Sequence, residues 1–268
     1  MRRLVPWLRA LAALALVSLA GCSSTEPPDA TLGWTPERLY AEARDELASG
    51  NREAAIKLLE KLEARYPFGH WAEQAQLDIA WAHFKDNERA LSLAAIDRFM
   101  KLHPNHAALD YALYLKGLVN FNEQQGLMAR FGGQDLSERD QAALRESFDA
   151  FKELVNRFPD SKYAPDAEAR MRYLVNSMAR GKVHIARYYY SRGAYVAAAN
   201  RAQEVIRDYQ EAPALEEALY LLIRSYEKLG LDDLRADAER VMRRSFPDSQ
   251  LLRSGLPQDD RRWWQLWR

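Results

Sequence analysis

The side chains able to do chemistry are scattered along this chain of 268 residues, not gathered into motifs. Among five histidines the closest pair, His103 and His106, straddles Pro104, a residue that interrupts a helix. The two are therefore not expected to share one helix face as metal ligands, and they read as a solvated turn. Glu216-Glu217, Asp232-Asp233 and Asp259-Asp260 are adjacent carboxylates. Adjacent residues on a helix point to different faces, so these pairs read as surface. There is no Gly-x-Ser-x-Gly elbow, no phosphate loop and no His-Glu-x-x-His helix. Lys plus Arg and Asp plus Glu both number 38, without the basic surplus that nucleic-acid binding draws on. No catalytic residue, metal or diffusible cofactor is expected, nor any nucleic-acid partner. The chain reads as a non-enzyme.

One residue does carry chemistry. Cys22 is the only cysteine, so no internal disulfide forms. Before it come Arg2, Arg3 and Arg9, then the uncharged and mostly apolar run Ala10 to Ala20. That run falls short of the roughly 20 residues of a spanning helix but suits the core of a secretory signal. Leu19-Ala20-Gly21-Cys22 has the form of a lipobox, with cleavage before the cysteine and a diacylglycerol on its sulfur, joined by an N-acyl chain. The alternative is an ordinary secretory signal with a cysteine early in the mature chain. Residues 1–21 are thus expected to be a signal peptide and residues 22–34 a lipidated flexible tether. Ser23 stands where lipoproteins retained in the inner membrane commonly carry Asp. The cell outer membrane, on its periplasmic face, is therefore the expected location.

The elements beyond the tether are helical. Ala and Leu supply 77 residues, whereas Val, Ile and Thr supply 18, too few of the β-branched side chains that sheets favour. Turns recur at Tyr66-Pro67, His103-Pro104, Phe158-Pro159, Tyr209-Gln210 and Phe246-Pro247. Eight residues past the first four lie Ala75, Ala112, Ala167 and Ala218, and seventeen before three of the turns lie Gly50, Gly193 and Gly230. These are tetratricopeptide spacings: glycine ends the first helix, alanine lets two helices approach, and proline closes the pair. The expected fold is an all-α tetratricopeptide-repeat superhelix of about five helix pairs, over 35–67, 70–104, 107–159, 163–210 and 214–247. The second pair is degenerate and the third is stretched around Gln125 to Asp140. Such pairs stack because none buries its apolar face alone. An N-terminal repeat region (35–104), a C-terminal one (105–250) and a Trp/Arg-rich tail (251–268) follow.

Two aromatic clusters stand out. Tyr66-Pro67-Phe68-Gly69-His70-Trp71 sits in a turn, where function concentrates, and it reads either as a binding rim or as a wedge between helix pairs. Arg261-Arg262-Trp263-Trp264-Gln265-Leu266-Trp267-Arg268 suits a membrane interface or a partner's groove, and equally a cap on the last repeat.

Several longer runs resemble the BamD (ComL-like) family of tetratricopeptide lipoproteins. They are the lipobox, Arg65-Tyr66-Pro67-Phe68-Gly69, Ala94-Ala95-Ile96-Asp97-Arg98-Phe99, Asp110-Tyr111 with Lys116-Gly117-Leu118, Phe131-Gly132 through Arg139-Asp140, and Arg192-Gly193-Ala194 to Asn200-Arg201. The Trp/Arg tail departs from the family. The resemblance implies a non-enzymatic component of the outer-membrane β-barrel assembly (BAM) complex, assisting recognition, folding and insertion of barrel proteins. Its implied partners are the periplasmic domains of BamA, other BAM lipoproteins and unfolded outer-membrane protein precursors, with the outer membrane reached through the lipid. Tyr66 and Phe68 are expected at the rim of an N-terminal groove for the aromatic end of a precursor's signal. Arg201 matches a family arginine implicated in contact with BamA; the alternative reading on spacing alone is an ordinary solvated helix arginine. The rival reading is a periplasmic scaffold for cell-wall or cell-division proteins.

Overall fold

A computed structural model describes residues 29–121 and 141–255. Cys22, the signal segment, the insertion around 125–140 and the tail from 256 onward lie outside these residues. Among the described residues ten helices form five antiparallel pairs: α1 (Pro36–Ser49) with α2 (Arg52–Arg65), α3 (His70–Lys85) with α4 (Arg89–Leu102), and α5 (Leu109–Phe121) with α6 (Gln141–Arg157). Then follow α7 (Ala164–Ser191) with α8 (Tyr195–Asp208), α9 (Leu215–Leu229) with α10 (Asp232–Ser245), and a last turn, α11 (Leu251–Ser254). Each of α1 to α10 packs on its neighbours in sequence, and α11 packs on α9. In addition α1 touches α3, α3 touches α5 and α7 touches α9, so first helices of successive pairs lie side by side.

The local signals act as their chemistry dictates. Thr35 accepts from the Arg38 amide at 3.4 Å and Pro36 opens α1. Gly50 closes that helix at φ 87°, its amide donating back to the carbonyls of Glu46 and Leu47. The degenerate second pair has no glycine at this place; Asn87 takes the left-handed conformation instead, at φ 61°. Asparagine is the usual second choice there. Ala75, Ala112, Ala167 and Ala218 are all fully buried. In α4 and α6 the close approach is made by serines: Ser92 Oγ donates to the Ala80 carbonyl at 2.8 Å and Ser147 Oγ to the Gly117 carbonyl at 2.9 Å. Gly117 is glycine for a steric reason, since a Cβ there would lie 2.3 Å from the Phe151 ring.

One element differs from the expected pattern. The fourth pair opens with a single helix of 28 residues, twice the length of α1 or α2. Its first half (Ala167, Leu174) and its second (Val183, Ala186) bury into one continuous core that runs from Leu113 to Met242.

The last pair departs from the others in its second helix. Eleven and four residues before their closing turns, α4, α6 and α8 carry Leu93 and Met100, Phe148 and Val155, Ala199 and Ile206, which are buried or packed against the cores, whereas α2 carries Ile56 and Glu63. The equivalent positions in α10 are Ala236, which is exposed, and Arg243, whose side chain is 69 % exposed. The same helix leaves Leu234 and Val241 half-exposed, so its outer flank mixes charge with apolar surface.

At the other end, the expected tether is pinned from Asp29 onward. Asp29 accepts from Lys61 Nζ at 2.8 Å and from the Thr31 amide at 3.0 Å, and it pairs with Arg65. Arg65 also donates to the Thr31 carbonyl at 2.6 Å, and Arg38 stacks over Trp34 at 4.1 Å. The Lys61 hydrogen bond, then those of Thr31, hold the Asp29 carboxyl well below the usual carboxylate range. A depressed carboxylate contributes above its unfolded pKa of about 4, and the contribution fades as pH falls below it. Acidification from pH 5 to about 2 is therefore expected to loosen residues 29–34 before the helices. Hydrogen exchange at the Thr31 amide reads this, and Asp29→Ala should produce the same loss at pH 7. Protection indifferent to both changes would show that the clamp contributes nothing.

Candidate functional site

The first helices of the N-terminal pairs meet around a buried carboxylate. Asp78 lies in the otherwise apolar stretch Leu77 to Ala82 and is 7 % exposed. Its charge is met by three donors: Tyr40 Oη at 2.8 Å, Gln74 Nε2 at 3.2 Å, and Arg44 Nη1 at 3.7 Å. Burial, and then the Asp78 carboxylate, push the Tyr40 hydroxyl well above the ordinary phenol range. Tyr111, on α5, is pushed up by burial first and Asp78 next. Both phenols therefore stay protonated hydrogen-bond donors at any physiological pH.

Two openings share Asp78 and Tyr111. One, of about 480 Å³, lies between α3, α5 and the turn into α7, where Lys162 and Tyr163 close it. The other, of about 220 Å³, is walled by Arg44, Ala48 and Trp81. The turn is held firmly: Tyr163 stacks on Tyr114 at 4.7 Å, and Ser161 Oγ donates to Asp110 at 2.6 Å. Aromatic walls, phenol donors and carboxylate acceptors side by side suit an extended peptide, whose side chains enter sockets while its amides need partners.

The turn cluster divides in two. Tyr66 is half-buried among Trp34, Leu58 and Trp71, with its hydroxyl donating to the Trp34 carbonyl at 2.8 Å. Phe68 is 91 % exposed. Arg201 stands on the exposed side of α8, while Ala198, Ala199 and Ala202 face inward. Its guanidinium donates to Glu204 at 2.7 Å, and Glu204 also accepts from Lys182 at 2.7 Å. The Lys182 hydrogen bond is the main cause that lowers the Glu204 carboxyl.

The histidine pair is not the solvated turn that its spacing suggests. The turn folds both rings against Phe99, at 5.1 and 5.2 Å, and both face Glu73, with His106 Nε2 at 3.3 Å. The Ala108 amide donates to His106 Nδ1 at 3.0 Å, which directs the other ring nitrogen to Glu73. Among the described residues no group of three or more His, Cys, Asp or Glu could hold a metal ion.

Residues 34–241, the whole of the repeat array up to α10, match the YfiO family, described as outer membrane lipoprotein. The chain belongs to this family. Curated relatives of the chain carry the name outer membrane protein assembly factor BamD. The one from Neisseria meningitidis is 49 % identical over 94 % of this chain and 96 % of its own length. The Vibrio cholerae relative is 39 % identical over 85 % of this chain and 94 % of its own, and that of Haemophilus influenzae 34 % over 88 % and 89 %. The groove around Asp78 thus belongs to a YfiO-family repeat array.

Proposed function

We propose that this chain is a non-enzymatic lipoprotein component of the outer-membrane protein assembly machinery, and that the groove around Asp78 and Tyr111 receives the signal strand of an unfolded barrel precursor. The family and the relatives' names carry the role in assembly at the outer membrane. The observation that carries the groove is the pair of openings sharing one buried carboxylate and one phenol. Phe68, exposed two residues past the half-buried Tyr66, supplies an apolar rim for the aromatic end of the signal.

The C-terminal repeats hold the periplasmic domains of BamA, with Arg201 as an ionic contact, and other BAM lipoproteins join the assembly. Arg fits that contact because its planar fork grips a carboxylate with two hydrogen bonds. The charge reversal Arg201→Glu would place two acids side by side with Glu204. Co-purification of BamA is expected to fall at least tenfold, and a compensating basic change on BamA to restore part of it. Undiminished recovery would put the interface elsewhere. Cys22 carries the diacylglycerol and N-acyl chains on the periplasmic face of the outer membrane. Labelling with a clickable palmitate analogue should therefore disappear in Cys22→Ala.

Photo-crosslinkers at Phe68 and Tyr111 test the central claim. They should capture a peptide ending in an aromatic residue, and capture less of the same peptide ending in alanine. Capture indifferent to that change would overturn the groove assignment. Recovery of peptidoglycan synthases in place of BamA from solubilised membranes would favour the scaffold reading.

A further inference from the structure

The turn after α10 opens in the register of a further helix pair. The first helices of the second to fifth pairs begin three to five residues past their closing turns, at His70, Leu109, Ala164 and Leu215. α11 begins four residues past Pro247, and it packs on α9 as α3 packs on α1 and α9 on α7. The small-residue position is kept too. Ala75, Ala112 and Ala167 stand eight residues past Pro67, Pro104 and Pro159, and Gly255 stands eight past Pro247. A Cβ on Gly255 would lie 3.3 Å from the Tyr220 hydroxyl of α9. α11 is thus the opening turn of a sixth first helix, and Gly255 ends it.

The first four second helices are each covered by the first helix of the next pair. On the corresponding seam of α10, Ala236 and Arg243 are exposed. The charges of α10 are sorted toward its two ends, with Asp232 and Asp233 in the first turn and Arg243 and Arg244 in the last. Arg244 and Asp233 have no partner among the described residues. Arg243 reaches only Glu239, at 3.9 Å, and Asp232 only Arg235, at 3.6 Å. The arginines between them are already held, Arg235 by Glu239 and Arg240 by Asp237.

The sequence beyond Gly255 carries the complementary order. A segment returning along α10 meets the C-terminal end of that helix first. It brings Asp259-Asp260 beside Arg243 and Arg244, and Arg268 toward Asp232 and Asp233. Between these charges come Trp263, Trp264, Leu266 and Trp267. They pass Ala236, where inner seams carry Leu93 or Phe148, and the small residue leaves room for an indole. The lengths agree as well. The charged ends of α10 are eleven residues apart, about 16 Å along the helix. The eight residues from Asp260 to Arg268 cover about 12 Å as a helix and about 26 Å extended.

We propose that residues 256–268 dock in cis on the free seam of α10, antiparallel to it, in the place of a sixth first helix. The proposal is independent of the groove around Asp78. Exposed ion pairs contribute little one by one, so here they set direction and register. Burial of the large indole surfaces supplies the affinity, and attachment to the same chain keeps the segment at high local concentration.

The test is amide hydrogen exchange in the full lipidated chain in detergent, followed across α10. Replacing Trp263, Trp264, Leu266 and Trp267 together by serine is expected to speed exchange in α10 at least tenfold and to leave α3 to α6 unchanged. Arg243→Asp with Arg244→Asp should have the same effect, and adding Asp259→Arg with Asp260→Arg should restore much of the protection. Protection that does not change on tenfold dilution is expected for docking in cis. Protection lost on dilution overturns the proposal in favour of a second copy. Exchange in α10 indifferent to the serine substitutions overturns it and leaves the aromatic tail to the detergent or membrane. Reversed charges that rescue nothing would place the tail elsewhere on the chain.

Discussion

Phe151→Ala is expected to lower the unfolding free energy by about 3–5 kcal/mol, the range for deleting a fully buried aromatic side chain. Phe151 is completely buried at the junction of α5 and α6, with Tyr114 and Phe121 rings at 6.0 and 6.5 Å. Its ring occupies the space that Gly117 leaves free. Those two facts predict a change of sign. In the native background, Gly117→Ala forces a Cβ into the ring at a cost of about 1–3 kcal/mol, which exceeds the gain of about 1 kcal/mol for replacing a helical glycine. In the Phe151→Ala background the ring is gone and the same substitution should stabilise. Urea unfolding of the four proteins measures the cycle. Equal destabilisation by Gly117→Ala in both backgrounds would show that the glycine serves something other than the ring.

Removing the carboxylate of Asp78 is expected to weaken binding of an aromatic-ended signal peptide by about ten- to a hundredfold. The range follows from hydrogen bonds to a charged group, worth about 1.5–3 kcal/mol each. Asp78→Ala leaves the Tyr40 hydroxyl and the Gln74 amide without their acceptor and Arg44 without its counter-charge, so the groove loses both shape and polarity. Asp78→Asn keeps an acceptor near Tyr40 and removes only the charge, and its loss should be intermediate. Peptide anisotropy reads the affinity, and BamA co-purification should be the same in all three proteins, because the proposed BamA contact, Arg201, lies on α8. Equal peptide affinity in all three would remove Asp78 from the site.

Much of the fold was legible because tetratricopeptide geometry writes itself in single residues. The closing turns, the four buried alanines and the turn glycines fall where their steric roles demand, and the five pairs end within a few residues of the expected limits. The second pair looked degenerate only because Asn87 does the work of a glycine. The length of α7 was hidden because Pro165 sits in its first turn, where a helix accepts it, and Gly181 is absorbed in a buried helical position. The site was less legible than the scaffold. Asp110-Tyr111 was visible as a family run, but an acid at Asp78 reads as surface until Tyr40, 38 residues away, is seen to point at it. Tyr66 and Phe68 form one motif on paper. In three dimensions one is half-buried and the other almost wholly exposed.

The exposed Arg243 of α10 has a consequence for quaternary state. A stack of identical helix pairs has no natural length: its last surface resembles the one its first surface packs against, so copies can add head to tail into an open filament. Where inner pairs present Leu93 and Met100, the final pair presents Ala236 and Arg243. Any copy arriving there would have to desolvate a guanidinium against an apolar seam. Burying that charge costs free energy, which disfavours head-to-tail addition at the fifth pair.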